Sequence, residues 1–168
     1  MPRTAVPDTI HDIIGAALAP LPPHRRDTFT LRVERWWPDL HEAVTALYAE
    51  PDAVARTLVE RAAHAFADRP DELHRLDERR LLEPDWFQQP TMFGYACYVD
   101  RFGDTLSGLA DRLDHLTDLG VTYLHLMPLL TPRPGDNDGG YAVMDYRTVR
   151  EDLGTVEDLR DLATALRG

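Results

Sequence analysis

The sequence predicts a two-part chain: an all-α helical domain over residues 1–90, linker included, and the opening of a parallel α/β unit over residues 91–168. Two observations carry this division. Up to about residue 83 the apolar residues recur at helical spacing between prolines, with no strand-like alternation. From Phe93 onward short apolar runs alternate with an amphipathic stretch, as in a strand–helix–strand unit.

The helical elements follow in order. Ile10, Ile13, Ile14, Ala17 and Leu18 predict a helix from Thr9 to Leu18, with Asp8 as its N-cap. Pro20, Pro22 and Pro23 end it. A second helix runs from about His24 to Trp37, broken or kinked at Pro38, with the period continued by Leu40, Val44, Leu47 and Tyr48. The Trp36–Trp37 pair reads as core. Pro51 opens a third helix to Ala67, with Val54, Leu58, Ala62 and Phe66 as its stripe, and Pro70 opens a fourth through Leu82. Residues 84–90 form a linker.

In the second part, Phe93 to Val99 reads as a buried strand. Leu109, Leu113 and Leu116 predict one helix from Leu106 to Leu119, ended by Gly120. Val121 to Met127 is a second strand, stopped by Pro128, and a long loop runs from Leu129 to about Val149. A last helix starts at Thr155, with Leu159, Leu162, Ala163 and Leu166 as its buried side. Two strands make no stable sheet alone, so the order implies partner strands beyond residue 168.

Composition excludes several function classes. The net charge of −11 gives no basic face for nucleic acid. All 18 basic residues are arginine, which removes Schiff-base and P-loop lysines. Cys97 stands alone in an apolar run and reads as packing. The scattered histidines lack metal-ligand spacing. No apolar run reaches the ~18 residues of a membrane span, and the N-terminus lacks a signal-peptide core, so the expected location is cytoplasmic.

Ligands of parallel α/β units bind beyond the C-terminal strand ends. The loop after Pro128 gathers Asp136, Asn137, Asp138, Gly139, Gly140, Tyr141 and Asp145. The glycine pair permits a tight turn that directs Asp138 and Tyr141 into one pocket. A carboxylate beside an aromatic face suits a sugar, with hydroxyls donating to the acid and CH groups packing on the ring. His125 reads as a packed strand residue, and Asp100 as structural at a strand end.

Four segments carry a resemblance: Tyr98-Val99-Asp100-Arg101-Phe102; Leu119-Gly120-Val121-Thr122 through Pro128; Asp138-Gly139-Gly140-Tyr141 through Arg147; and Leu153-Gly154-Thr155 through Leu159. In this order and spacing they resemble the α-amylase superfamily, glycoside hydrolase family 13. Within it, the Leu-His-Leu-Met-Pro and Asp-Gly-Gly-Tyr-Ala-Val versions are similar to the amylosucrase group, which also carries a helical N-terminal domain. The resemblance implies that residues 91–168 are the start of a (β/α)8 TIM barrel, truncated after about a third of the ~250 residues such a barrel takes. It implies sucrose and α-glucan as partners, no cofactor, and retaining glucosyl transfer. Asp138 would hydrogen-bond the glucosyl ring and Tyr141 would stack on it, while Tyr146 and Arg147 would support the loop. It also implies that the catalytic nucleophile and acid/base lie beyond Gly168, so that the chain alone is inactive. Other expectations are a trehalose synthase or α-glucosidase of the same family, or a non-catalytic remnant serving as a helical interaction domain.

Overall fold

Apolar stripes and proline breaks build the first part of the chain. The computed structural model describes residues 5–167, and the chain divides between Leu82 and Glu83 into two compact units. The first unit holds α1 (Asp8–Ala17), α2 (Pro23–Leu47), α3 (Pro51–Ala67) and α4 (Asp71–Leu82). Its core joins Ile10, Ile14 and Leu18 to Phe29, Trp37 and Val44 of α2 and to Val59 and Phe66 of α3.

Several local expectations need correction. Asp8 is not the N-cap of α1: extended Pro7 takes that place, and its carbonyl accepts the Ile10 and His11 N–H groups. Asp8 lies instead in the first turn, where its charge complements the helix dipole. α2 does not stop at Pro38 but runs through it. Trp37 and Val44, on either side of the proline, both sit in the core and anchor the two halves together. Only one of the two tryptophans is core: Trp37 is 2% exposed and Trp36 is 56% exposed. The buried stripe of α3 is Ala55, Val59, Ala63 and Phe66, one residue round from the expected Val54, Leu58 and Ala62. The small side chains Ala55 and Ala63, both fully buried, face the interior, where they permit close helix approach, and Leu58 is left 46% exposed.

Pro38 cannot donate to the Glu34 carbonyl, so α2 carries an unmade bond. Pro38→Ala should raise the stability of the helical unit by about 1–2 kcal/mol. That is less than the ~3 kcal/mol cost of an interior proline, because proline also stiffens the unfolded chain. A urea midpoint that falls rather than rises would show that Pro38 shapes α2 productively.

The second unit begins with a 3-10 turn at Trp86–Gln88. It continues with β1 (Gly94–Cys97), α5 (Val99–Phe102), α6 (Leu106–Ala110), α7 (Leu113–Asp118), β2 (Tyr123–Leu126), β3 (Leu130–Pro132), β4 (Val143–Val149) and α8 (Val156–Ala165). β1 and β2 pair in parallel, with Gly94 opposite Tyr123 and Cys97 opposite Leu126. This is the strand–crossover–strand unit that the alternating pattern implies. Val99 does not extend the first strand but opens α5, whose buried valine joins the core.

The expected single helix over 106–119 is two short ones, α6 and α7, separated at Asp111 and Arg112. Gly120 ends α7 as foreseen: its φ is +78° and its N–H bonds the Thr117 carbonyl, while the Val121 N–H bonds that of Leu116. The long loop also holds structure, since β3 and β4 pair antiparallel within it. Thr155 caps α8 reciprocally with Asp158: the Asp158 N–H donates to the threonine hydroxyl, and the Thr155 N–H donates to the carboxylate at 2.7 Å. The hydroxyl contact with that carboxylate and this N–H hold the Asp158 carboxyl below its usual range. Leu162 of α8 is buried, but Leu166 is 47% exposed, so the stripe is narrower than expected.

The core of this unit joins Val99, Leu106, Leu109, Val149, Leu153 and Leu162. Cys97, Leu124 and Leu126 pack on it from the helix-covered face of β1 and β2. Burial pushes the Cys97 thiol up, as fits a packing cysteine. The strand period of two puts Gly94, Ala96, Tyr123 and His125 on the opposite, exposed face. His125 is therefore exposed, not packed as the sequence suggested.

Candidate functional site

Beyond the C-terminal end of β2 the chain makes an excursion through β3, a turn and β4. Thr131 on β3 ties the two strands: its hydroxyl is 2.7 Å from that of Thr148 and donates to the Val149 carbonyl at 3.2 Å. The Arg150 N–H closes the base on the Leu129 carbonyl at 2.9 Å. Between the strands a 3-10 turn spans Asp138–Gly140.

This turn holds three successive residues at positive φ: Asp138 at +53°, Gly139 at +65° and Gly140 at +96°. Glycine takes such angles freely, and Asp is among the few L-residues that tolerate them. Gly140 is buried against Pro128, and a Cβ there would sit 3.1 Å from the proline Cβ. The turn is thereby seated beside a residue two positions past β2, at the ligand-binding end of the strand.

Sequence reasoning assigned no role to the two residues that shape the turn. Asn137 Oδ1 accepts the Gly140 N–H at 2.9 Å, and its Nδ2 donates to the Arg133 carbonyl at 3.2 Å. The Asn137 carbonyl accepts from the Gly140 and Ala142 N–H groups at 3.1 and 3.0 Å. Arg133 donates from Nε and Nη2 to the Asp136 carbonyl, and its N–H bonds the Ala142 carbonyl at 2.8 Å. The available signal was an asparagine two residues before a glycine pair, a turn former that bonds nearby backbone.

Asp138 and Tyr141 flank this clamp. The Tyr141 N–H bonds the Asp138 carbonyl at 3.3 Å, so one turn fixes both Cα positions. Both side chains are exposed, Tyr141 by 57%, rather than turned into an enclosed pocket. Further along, Tyr146 is 76% exposed. The Arg147 N–H and guanidinium both meet Asp145, and these bonds hold the Asp145 carboxyl below its usual range. Arg150 donates to Asp152 at 2.5 and 3.1 Å, and Asp100 in α5 adds its field. Asp100 stands three residues past the end of β1, exposed, in the first turn of α5. Among the described residues, no group of three or more His, Cys, Asp or Glu is placed to hold a metal ion. Among them, too, no helix is long and apolar enough to cross a membrane.

Comparison with known proteins decides the family. The family described as "Alpha amylase, catalytic domain" matches residues 69–168. The chain belongs to the alpha-amylase catalytic-domain family. The match begins ahead of β1, in the connection to α4, so the helical unit contributes its last helix to it. A glucan 1,6-alpha-glucosidase of Streptococcus dysgalactiae subsp. equisimilis is 32% identical over 91 residues, covering 50% of this chain and 16% of that one. A trehalose synthase of a Pimelobacter species is 39% identical over 83 residues, covering 45% and 14%. The chain thus spans about one sixth of the length of these curated relatives. A solved isomaltulose synthase of Erwinia rhapontici, in complex with sucrose, is 27% identical, with 46% of this chain and 15% of that one covered. Its TM-score of 0.40 is too low to bear on the fold. As an alpha-amylase family member the chain is related to glycoside hydrolases and transglycosylases, with helices and few strands as in part of a barrel.

Proposed function

We propose that this chain is the N-terminal part of an amylosucrase-like retaining glucosyltransferase. The complete enzyme would cleave sucrose, release fructose and pass the glucosyl unit to the 4-OH of an α-glucan. The observation that carries the reading is the Asp138–Tyr141 turn, clamped by Asn137 and seated on Pro128 beyond the end of β2. An exposed carboxylate and an exposed phenol ring, fixed across one turn, can take the hydroxyl edge and the CH face of one pyranose.

The roles follow from that chemistry. Asp138 accepts hydrogen bonds from glucosyl hydroxyls, and Tyr141 offers its ring to the sugar face. Retention needs two further carboxyl groups about 5 Å apart. One attacks the anomeric carbon as the C–O bond to fructose breaks. The other donates a proton to the leaving fructosyl oxygen. In the second step the acceptor 4-OH loses its proton to that same base and attacks the anomeric carbon, which frees the nucleophile. Asp138 cannot fill both positions, so these groups would come from later barrel strands. The mechanism calls for no cofactor. On this reading the 168-residue chain binds part of the sugar at most and turns nothing over.

A trehalose synthase or an α-glucosidase is the second reading, favoured by the relatives of those names. The non-catalytic helical remnant is the third. One experiment separates them: express the reading frame through its own stop codon, and supply sucrose, maltose and an α-glucan acceptor. Fructose release with glucan growth supports the proposal. Trehalose formed from maltose, or glucose released from α-glucosides without transfer, replaces it. No turnover from a frame that ends at Gly168 leaves the remnant.

A further inference from the structure

Helix α4 buries one side chain, and it is one that can take a charge. The apolar core of the unit is drawn from α1, α2 and α3 and includes no α4 residue. The buried residue of α4 is His74, only 2% exposed. Its ring meets Phe66 of α3 edge-on, with centroids 4.7 Å apart and planes at 80°. Its Nε2 is buried with no hydrogen-bond partner. Ion pairs also tie α4 to α2: Arg25 meets Asp71 at 2.6 Å and Glu78 at 3.2 Å, and Arg32 meets Asp77 at 2.7 Å. Arg69, in the connection from α3, also reaches Asp77 at 3.8 Å.

We propose that α4 is an acid-released clasp, docked on the helical unit while His74 is neutral and freed when His74 takes a proton. A proton on Nε2 would leave an imidazolium N–H buried and unpaired beside an aromatic ring. The charges around it do not rescue it. From α2 and the α3–α4 connection it faces the guanidiniums of Arg25 and Arg69. From its own helix it faces Asp71 and Glu78, but both are already engaged by Arg25. Asp77 is taken by Arg32 and Arg69. His24, at the start of α2, also stands 3.6 Å from Glu78.

Burial first, then Arg25 and Arg69, hold the His74 pKa below its ordinary value. A histidine depressed in the folded state contributes stability that is complete above the unfolded pKa of about 6.5 and is lost as pH falls below it. Carboxylates keep their charge down to about pH 4, and Arg25 holds that of Asp71 lower still. Between these limits the helix is therefore released by its histidine, while its ion pairs persist.

The test uses the whole 168-residue chain. Amide hydrogen exchange, corrected for intrinsic rates, is followed by NMR from about pH 7.5 to about pH 5. The His74 ring signals are titrated in the same samples. Protection of the α4 amides should fall about tenfold or more beyond any change in α1–α3, with His74 titrating below about 6.5. His74→Phe should make α4 protection independent of pH over that range. Unchanged α4 protection at the lower pH, or His74 titrating at or above its ordinary value, would overturn the proposal. Should His74→Phe fail to fold, the wild-type ring titration and His74→Gln decide the matter by the same criteria.

Discussion

Gly108→Ala is expected to unfold the corner between β1 and α6. A Cβ at Gly108 would lie 2.0 Å from the Gly103 carbonyl oxygen. The reverse contact is equally tight, since a Cβ at Gly103 would lie 2.4 Å from the Leu109 nitrogen. Neither clash involves a flexible side chain that could swing aside. The backbone there is also committed: Thr105 caps α6 by accepting the Gly108 N–H, and the Leu106 N–H bonds the Leu153 carbonyl at 2.9 Å. Moving either strand of chain would disturb Leu106 and Leu109, both fully buried. Overpacking usually costs about 1–3 kcal/mol, and the backbone origin of this clash puts the loss at that upper end or beyond. Hydrogen exchange at the Leu106 and Leu109 amides reads it directly. Gly15→Ala is the control, because nothing lies within 4 Å of a Cβ there, and an exposed helical glycine should gain up to about 1 kcal/mol. Protection at Leu106 and Leu109 unchanged in Gly108→Ala would mean that the corner yields more easily than its packing implies.

The second large effect belongs to Asp138 and depends on the proposed sugar site. In the product of the whole reading frame, Asp138→Asn should lower kcat/KM for sucrose by about 100-fold or more, the loss typical of removing one preorganised polar group aimed at a reacting substrate. Asparagine is the informative replacement. It keeps the shape and, like aspartate, tolerates the φ of +53° found here, so the turn survives and only the charge is removed. Asp138→Ala adds backbone strain at that angle and should be worse in stability as well. Tyr141→Ala should mainly raise KM, since ring stacking contributes to ground-state binding. Sucrose turnover retained in Asp138→Asn would remove Asp138 from the glucosyl site, whatever the family.

Much of the helical grammar was legible because it is local. Pro51 falls in the first turn of α3, Gly120 closes α7, and α8 opens at Thr155. Each depends on a few neighbouring residues, so the signal survives in one dimension. The Gly139–Gly140 pair was legible in the same way, since a positive φ calls for glycine.

What failed depended on partners distant in sequence. Leu58 and Val59 are equally apolar, and only the position of α1 and α2 decided that Val59 turns inward. Pro38 should break a helix in isolation, but core contacts through Trp37 and Val44 on both sides of it held α2 continuous. β3 was invisible because its three residues include a proline and pair with a strand that begins eleven positions later. The roles of Asn137 and Arg133 came only with the closed loop that lets them bond backbone across the turn. By itself, then, the sequence determined the four helices of the first unit, the two parallel strands with a helical crossover, the turn glycines and the family motifs, because these rest on local conformational preference. Tertiary structure alone decided that the buried face of α3 lies one residue round from its apolar stripe, and that the one buried side chain of α4 is a histidine, because burial is set by what the rest of the chain brings alongside.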